Sequence, residues 1–367
     1  MKVSLITLHR ITNFGSMLQT YATQTAIEKL GHTVEVVDYV PEGMSFYRAV
    51  FPKGHQSVIK RLIKFLPLLA VNTVQFSIVN RFMKRFIHVT DKRYRCYQDL
   101  LDNTPQADVY VSGSDQVWNT QNNNPPDDLK AYYLQFAPKG KTRVAYAGSF
   151  GKTDFTEDEK QTIHGWLSQY DAISVREDTA LETLKEVGID GGVHVVDPSL
   201  LLSADEWLAF CDKPAPKDGY VFIYNLNRNK VVEELALAIA KKSGWRVVNF
   251  ADSLEFVAGA QNRLCNTAMD LLRYVANANF VVTDSFHGTA FSLNFERQFL
   301  CVPAPKYNSR LESILRQTDL IDTRLVTSVE DGLKAAETPI DHDAVRIKLD
   351  AARQAAREWL EKALVAK

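Results

Sequence analysis

Short runs of β-branched and aromatic residues alternate along the chain with longer stretches whose apolar positions recur at helical spacing. "KVSLITL" (2–8) predicts a strand, "MLQTYATQTAIEKLG" (17–31) a helix ended by Gly31, and "TVEVVDYV" (33–40) a second strand. After an insertion, strands are predicted at 107–114, 142–149 and 172–177, with a helix over 154–170 and an extended run at 193–202. The pattern then restarts. It gives strands at 220–226, 245–250 and 280–285, helices at 230–244 and 268–278, a further helix beginning after Phe286-His287-Gly288, and a last helix over roughly 341–365.

Strands alternating with helices predict α/β architecture with parallel sheets. The stretch 211–219 holds two prolines and a glycine and little apolar content, which marks an interdomain linker. The expectation is two Rossmann-like domains facing across a cleft: 1–210 with an insertion at 44–95, the linker 211–219, 220–340, and a C-terminal helical segment 341–367. Ligands of such sheets bind beyond the carboxyl ends of the strands.

A length of 367 residues, 46% of them hydrophobic, supports a large core and two domains. The net charge of −1 excludes a general polyanion binder. Cys96, Cys211, Cys265 and Cys301 lack metal-ligand spacing and suggest no disulfide framework. They read as reduced, mostly buried thiols of a cytoplasmic protein. The N-terminal apolar stretch is too short for a signal peptide, and no segment is apolar enough to span a bilayer. The eight histidines are scattered, and no metal site is expected. Asp127 and Asp128 are expected on a solvated loop.

The insertion changes the charge picture locally. Residues 44–95 carry eleven Lys and Arg against one acid, Asp91, mixed with apolar residues at helical spacing. One reading is a peripheral contact with an anionic membrane or a lipid-linked acceptor. The other is a helical hairpin packed on the first domain with a solvated basic face. Nucleic acid is not expected, because no binding motif accompanies the charge.

The strand-end loops hold the candidate chemistry. In "HRITNFGSM" (9–17), Asn13 and Gly15 suit a tight turn and Ser16 a helix N-cap. In "SGSDQVWN" (112–119), Ser114, Asp115, Gln116, Trp118 and Asn119 combine hydroxyl-binding groups with an aromatic face, as a sugar site requires. "YAGSFGK" (146–152) adds two glycines and a serine. Arg176 in "SVRED" could clamp a carboxylate or phosphate in bidentate fashion, and Lys306 could serve as a point charge for phosphate. His287 in "TDSFHGTAFS" (283–292) lies between a strand end and a helix start, with Ser285 and Gly288 beside it. The Gly288 and Thr289 N–H groups would open that helix, whose positive end favours anions.

"NFGSMLQTYA", "SGSDQVWN", "YAGSFG", "SVRED", "VDPSLLL" with Trp207 after it, and "TDSFHGTAFSL" occur in that order. Together they resemble the polysaccharide pyruvyl transferase family, from about residue 10 to 320. The resemblance implies a fold like that of GT-B glycosyltransferases. It implies transfer of the enolpyruvyl group of phosphoenolpyruvate to a sugar, forming a pyruvate ketal and releasing phosphate, with no cofactor. By position, the family's arginine falls on Arg176 and its histidine on His287. Its lysine falls by spacing on Lys306, with Lys139 or Lys141 as substitutes if the alignment slips. The N-terminal motifs, with Asn13, Gly15, Ser114, Asp115, Trp118 and Asn119, would mark the acceptor side. Arg176, Ser285, His287, Gly288 and Lys306 would bind phosphoenolpyruvate. Two readings compete with this one. A GT-B glycosyltransferase using a nucleotide sugar would need a ribose-binding carboxylate, for which Glu296 is placed. A non-catalytic carbohydrate-binding member of a polysaccharide assembly would have lost some of Arg176, His287 and Lys306.

Overall fold

The computed structural model describes residues 1–41, 58–120, 126–211, 214, 216–251, 256–305 and 308–365. The chain divides into two compact units, Met1–Leu201 with Ala352–Lys367, and Leu202–Ala351. The boundary falls before the expected linker. The segment holding Trp207 belongs to the second unit, because its indole lies edge-on to the Phe291 ring at 5.5 Å.

The first unit contains β1 (Lys2–Ile6), α1 (Phe14–Lys29), β2 (Thr33–Val36), α2 (Val58–Phe86), α3 (Tyr97–Asp102) and β3 (Val109–Ser112). It continues with α4 (Pro126–Tyr132), β4 (Thr142–Gly148), α5 (Glu157–Leu167), β5 (Ala172–Val175), α6 (Thr179–Glu186), β6 (Val193–His194) and a 3₁₀ turn at Pro198–Leu200. Among the described residues its six strands form one parallel sheet in the order β2-β1-β3-β4-β5-β6. The central strands β3 and β4 are buried along their whole length, as expected for a parallel sheet covered on both faces.

The second unit contains α7 (Ala204–Ala209), β7 (Tyr220–Tyr224), α8 (Lys230–Ser243), β8 (Arg246–Phe250), β9 (Gln261–Arg263), α9 (Ala268–Ala276) and β10 (Phe280–Thr283). It continues with α10 (Phe286–Asn294), β11 (Phe299–Cys301), α11 (Ser309–Gln317), α12 (Ile321–Arg324) and α13 (Val329–Ala335). The last helix, α14, runs His342–Ala363. Among the described residues the five strands are parallel, in the order β11-β10-β7-β8-β9. The short β9 carries polar side chains and was invisible to the apolar pattern.

Several local expectations change. Helix α1 starts at Phe14, and Asn13 rather than Ser16 caps it: the Asn13 side chain accepts from the Gly15 and Ser16 N–H groups at 2.9 and 3.4 Å. Asp128 lies on α4, buried, and accepts from the Tyr39 hydroxyl at 2.5 Å, so it is not on a solvated loop. Of the cysteines only Cys301 is buried; Cys96 is exposed, the other two are half-buried, and no disulfide joins them. In the insertion, residues 42–57 lie outside the described residues, as does that part of the expected hairpin, and Val58–Phe86 forms one long helix, α2. Its last turns bury Val79, Phe82 and Met83 and expose Arg81, Lys84 and Arg85. Phe86 meets Tyr21 of α1, ring to ring, at 6.3 Å.

Candidate functional site

Each sheet has one point where strand order reverses. In the first it lies between β1 and β3, in the second between β7 and β10. In sheets of this kind ligands bind where the strand-end loops diverge at such a point. The motif residues collect at these two edges.

In the first unit the motif loops lock onto one another. Thr7 Oγ1 donates to the Ser114 carbonyl at 2.7 Å, and the Ser16 hydroxyl donates to the Asp115 carboxylate. Asp115 is in the left-handed region, φ +78°, and its other carboxylate oxygen accepts from the Gln116 N–H at 2.8 Å. The Trp118 ring stacks on Tyr133 at 5.5 Å and also meets Phe150. A Cβ on Gly148 would sit 2.6 Å from that ring, and one on Gly151 2.7 Å from Asn119 Nδ2. The loops "SGSDQVWN" and "YAGSFGK" are therefore two halves of one interlocked structure. Trp118 is fully buried, so its ring has no face for a sugar, which corrects its assignment as an acceptor contact. Gly15, Ser114, Asp115 and Asn119 are also buried, and Asn13 alone of the six acceptor candidates is half-buried.

Arg176 follows β5 directly, with no part of its side chain exposed. Its Nη1 lies 2.8 Å from Asp197 Oδ2, and its Nη2 lies 3.5 Å from Asp115 Oδ1. Asp197 also accepts from the Ser114 hydroxyl at 3.0 Å and the Ser199 N–H at 2.9 Å. The neighbouring Glu177 accepts from Ser149 Oγ at 2.8 Å. Burial alone would weaken the guanidinium's hold on its proton, but Asp197, Asp115 and Glu177 outweigh it and raise the value. Arg176 thus braces the strand ends from inside. Asp197, unremarked by itself in the sequence, is the residue that "VDPSLLL" contributes to this core.

A second polar cluster, at the ends of β1 and β2, also escaped sequence reasoning. The buried Asp38 carboxylate is met by His9 Nε2 at 3.0 Å, by Arg10 at 2.5 and 3.0 Å, and by Arg93 Nε at 2.9 Å. Burial would push the Asp38 carboxyl up; the hydrogen bonds from His9 and Arg10 overcome it and hold the group well below the usual carboxylate range.

In the second unit, α10 begins at Phe286, so His287 lies in its first turn rather than before it. Ser285 is the N-cap, and its hydroxyl accepts from the Gly288 N–H at 3.3 Å. The Thr289 N–H goes to the Ser285 carbonyl at 3.0 Å. The two N–H groups expected to meet an anion are thus engaged inside the helix. Gly288 is required by packing, since a Cβ there would fall 2.4 Å from Thr283 Oγ1. Asp284, which the sequence reading passed over, accepts from the Leu226 N–H at 2.7 Å and from Asn227 N and Nδ2 at 2.9 Å. Burial pushes its carboxyl up against the pull of those donors. His287 is 5% exposed, edge-on to the Phe286 ring. Lys306 lies outside the described residues. Glu296 is paired with Arg346 at 2.7 Å, both side chains exposed. Among the described residues no group of three His, Cys, Asp or Glu is placed to hold a metal ion, and no helix is long and apolar enough to cross a membrane.

This architecture is that of the GT-B enzymes. UDP-GlcNAc 2-epimerase from Neisseria meningitidis, solved bound to UDP-GlcNAc, superposes with a TM-score of 0.55 at 10% identity, over 99% of this chain and 100% of its own. The Methanocaldococcus jannaschii UDP-GlcNAc 2-epimerase gives 0.53 at 13% identity over 93% of each chain. At such identities the likeness extends to fold alone. No curated protein matches in sequence. The family model of polysaccharide pyruvyl transferases matches residues 13–304, a span that runs from the Asn13 cap through both motif edges to just beyond β11. The chain therefore belongs to the polysaccharide pyruvyl transferase family of enzymes.

Proposed function

We propose that the protein transfers the enolpyruvyl group of phosphoenolpyruvate to two hydroxyls of a sugar in a polysaccharide or its precursor, forming a cyclic pyruvate ketal. The observation that carries this reading is His287, held in the first turn of α10 at the reversal point of the second sheet, in a chain that belongs to this family. The reaction adds a proton to the methylene carbon and forms two C–O bonds to the central carbon. The C–O bond to phosphate breaks. Of the two hydroxyl protons, one ends on the new methyl group and the other on the departing phosphate. An imidazole can take one and deliver the other, an effect of roughly 10²–10⁴ in rate. In this proposal His287 is the general acid–base residue and Lys306 a cation for the donor. Ser285 and Gly288 build the turn that presents the imidazole. The first unit supplies acceptor recognition, with Arg176 holding Asp115 and Asp197 in place. The reaction needs no cofactor, and the protein works in the cytoplasm, with the exposed Arg81, Lys84 and Arg85 available for contact with an anionic membrane that carries the acceptor.

Thermal unfolding with phosphoenolpyruvate and, separately, with nucleotide sugars tests the donor. A ligand at about 100 times its Kd adds about 2.7 kcal/mol, a shift of a few degrees. Stabilisation by phosphoenolpyruvate is expected. Stabilisation by a nucleotide sugar alone would make the protein a sugar-nucleotide enzyme.

A further inference from the structure

The insertion ends on the polar cluster at the carboxyl ends of β1 and β2. Its last residues run parallel to β2 and to the chain just beyond it. The Val36 N–H donates to the His88 carbonyl at 2.7 Å, the Thr90 N–H to the Val36 carbonyl at 2.9 Å, and the Tyr94 N–H to the Asp38 carbonyl at 2.9 Å. Thr90 Oγ1 accepts from the Asp38 N–H at 3.0 Å. This pairing brings Arg93 against Asp38, 55 residues earlier in the chain.

Asp38 has more cationic donors than one carboxylate needs. Arg10 alone neutralises it, through Nε and Nη2, and the remaining nitrogen of that guanidinium, Nη1, donates to Asn80 Oδ1 at 2.9 Å. Arg93 brings a second guanidinium to the same carboxylate, and His9 Nε2 lies 3.0 Å from it. Two guanidiniums on one carboxylate leave an excess of one positive charge, and among the described residues neither arginine pairs with another carboxylate. The excess lies on Arg93. Its Nε alone is engaged, at 2.9 Å from Asp38 Oδ2; among the described residues Nη1 and Nη2 meet no acceptor, and the side chain is 39% exposed. An ion pair so exposed adds little to stability. What the buried carboxylate does is fix the guanidinium by one nitrogen while its outer edge stays open to solvent. Such an edge binds an oxyanion with two parallel N–H donors. Arg10 leads out of β1, one of the two strands at the reversal point, so the cluster lies at the ligand-binding edge of the first sheet.

We infer that Arg93 is an acceptor-binding residue of the first unit, whose guanidinium, oriented by Asp38, holds a phosphate group carried by the acceptor sugar. The inference rests on the proposed reading of the first unit as the acceptor side. A sugar still to be built into a polymer is activated at its anomeric carbon as a phosphate ester, of a nucleotide or of a lipid. Such a precursor brings an oxyanion that a finished polymer of neutral sugars lacks. The insertion then has a role in the site itself: it delivers the cation that tells the two apart.

The test is Arg93→Gln, with Arg93→Lys beside it, in the full chain. Tm is followed while each protein is titrated with phosphoenolpyruvate and with a panel of hexoses, each supplied free, as its 1-phosphate, as its uridine diphosphate ester and as a prenyl diphosphate ester. Arg10 still neutralises Asp38 in both variants, so Tm without ligand should change little. The wild type should bind phosphate esters more tightly than the free hexoses. Arg93→Gln should weaken the esters by about tenfold or more, and Arg93→Lys by less, with phosphoenolpyruvate binding unchanged. The nucleotide and prenyl esters separate the two carriers. Wild-type affinity for the esters in Arg93→Gln, or no preference for them in the wild type, would overturn the inference and leave the pyruvyl-transfer reading intact. A collapse of Tm without ligand would make Arg93 a brace, and an equal loss of phosphoenolpyruvate binding would make it a donor group; either overturns its acceptor role. If phosphoenolpyruvate does not stabilise the wild type while the esters bind through Arg93, the phosphate site stands and the pyruvyl-transfer reading falls.

Discussion

The Arg176 guanidinium and the Asp197 carboxylate meet at 2.8 Å with neither side chain reaching solvent. They join the end of β5 to the turn after β6, and Asp115, Ser114 and Ser199 share the same charges. Removing one member of such a pair leaves the other buried and uncompensated, at about 3–5 kcal/mol. Arg176→Met should therefore lose stability on this scale in denaturant unfolding. A double-mutant cycle with Asp197→Asn should return a coupling energy of about 0.5–3 kcal/mol. An Arg176→Met protein of wild-type stability that had lost only phosphoenolpyruvate affinity would make the arginine a ligand group instead of a brace.

His287 should behave in the opposite way. Replacement by Gln or Ala is expected to lower kcat by 10²-fold or more. The helix around it, capped by Ser285 and packed through Gly288, stays in place, so far-ultraviolet circular dichroism and Tm should change little. Retention of more than about a tenth of wild-type turnover, less than the smallest acid–base effect, would remove His287 from the chemistry.

Gly148 is constrained by space. Its φ is ordinary, but a Cβ would lie 2.6, 2.7 and 3.0 Å from three atoms of the Trp118 ring, which is itself held against Tyr133 and Phe150. Gly148→Ala should cost about 1–3 kcal/mol, as overpacking does. Pairing it with Trp118→Phe should restore part of the loss. Equal stability of Gly148→Ala and wild type would show that the two loops are not interlocked as described.

Acid should unfold the first unit through its depressed carboxylates. Burial pushes the Glu159 carboxyl up, but bonds from Lys152, Thr120 and the Thr156 N–H bring it to about 2. Asp38 is likewise held low by His9 and Arg10 against its own burial. A carboxylate depressed in the folded state contributes stability that is complete above its ordinary value and lost as pH falls towards the folded one. For Glu159 that window runs from 4.5 down to about 2. Glu159→Gln and Asp38→Asn should lower Tm at neutral pH and flatten its fall over this range. Curves parallel to wild type would refute the assignment.

The parallel-sheet architecture was legible from spacing alone. Apolar runs of strand length separated by helical periods force crossovers, and crossovers force parallel pairing. The composition-based linker at 211–219 misplaced the division, because Trp207 and α7 bury their apolar faces in the second unit. His287 was legible because its place between an apolar strand and an apolar helix is written in local order. The partners of Arg176 were not legible, because an arginine at a strand end has the same local signature whether it faces a ligand or a buried carboxylate.

The sequence by itself determined the order of strands and helices, the reading of two α/β sheets and the motif set of the family, since these depend on periodicity and on residues adjacent in the chain. Tertiary structure alone decided the partners. Asp197 lies 21 residues beyond Arg176, and Asp284 lies 58 beyond Leu226, yet each carboxylate is within hydrogen-bonding distance of its partner. A buried charge is stabilised only by the groups that folding brings against it, and strand order, not chain order, selects those groups.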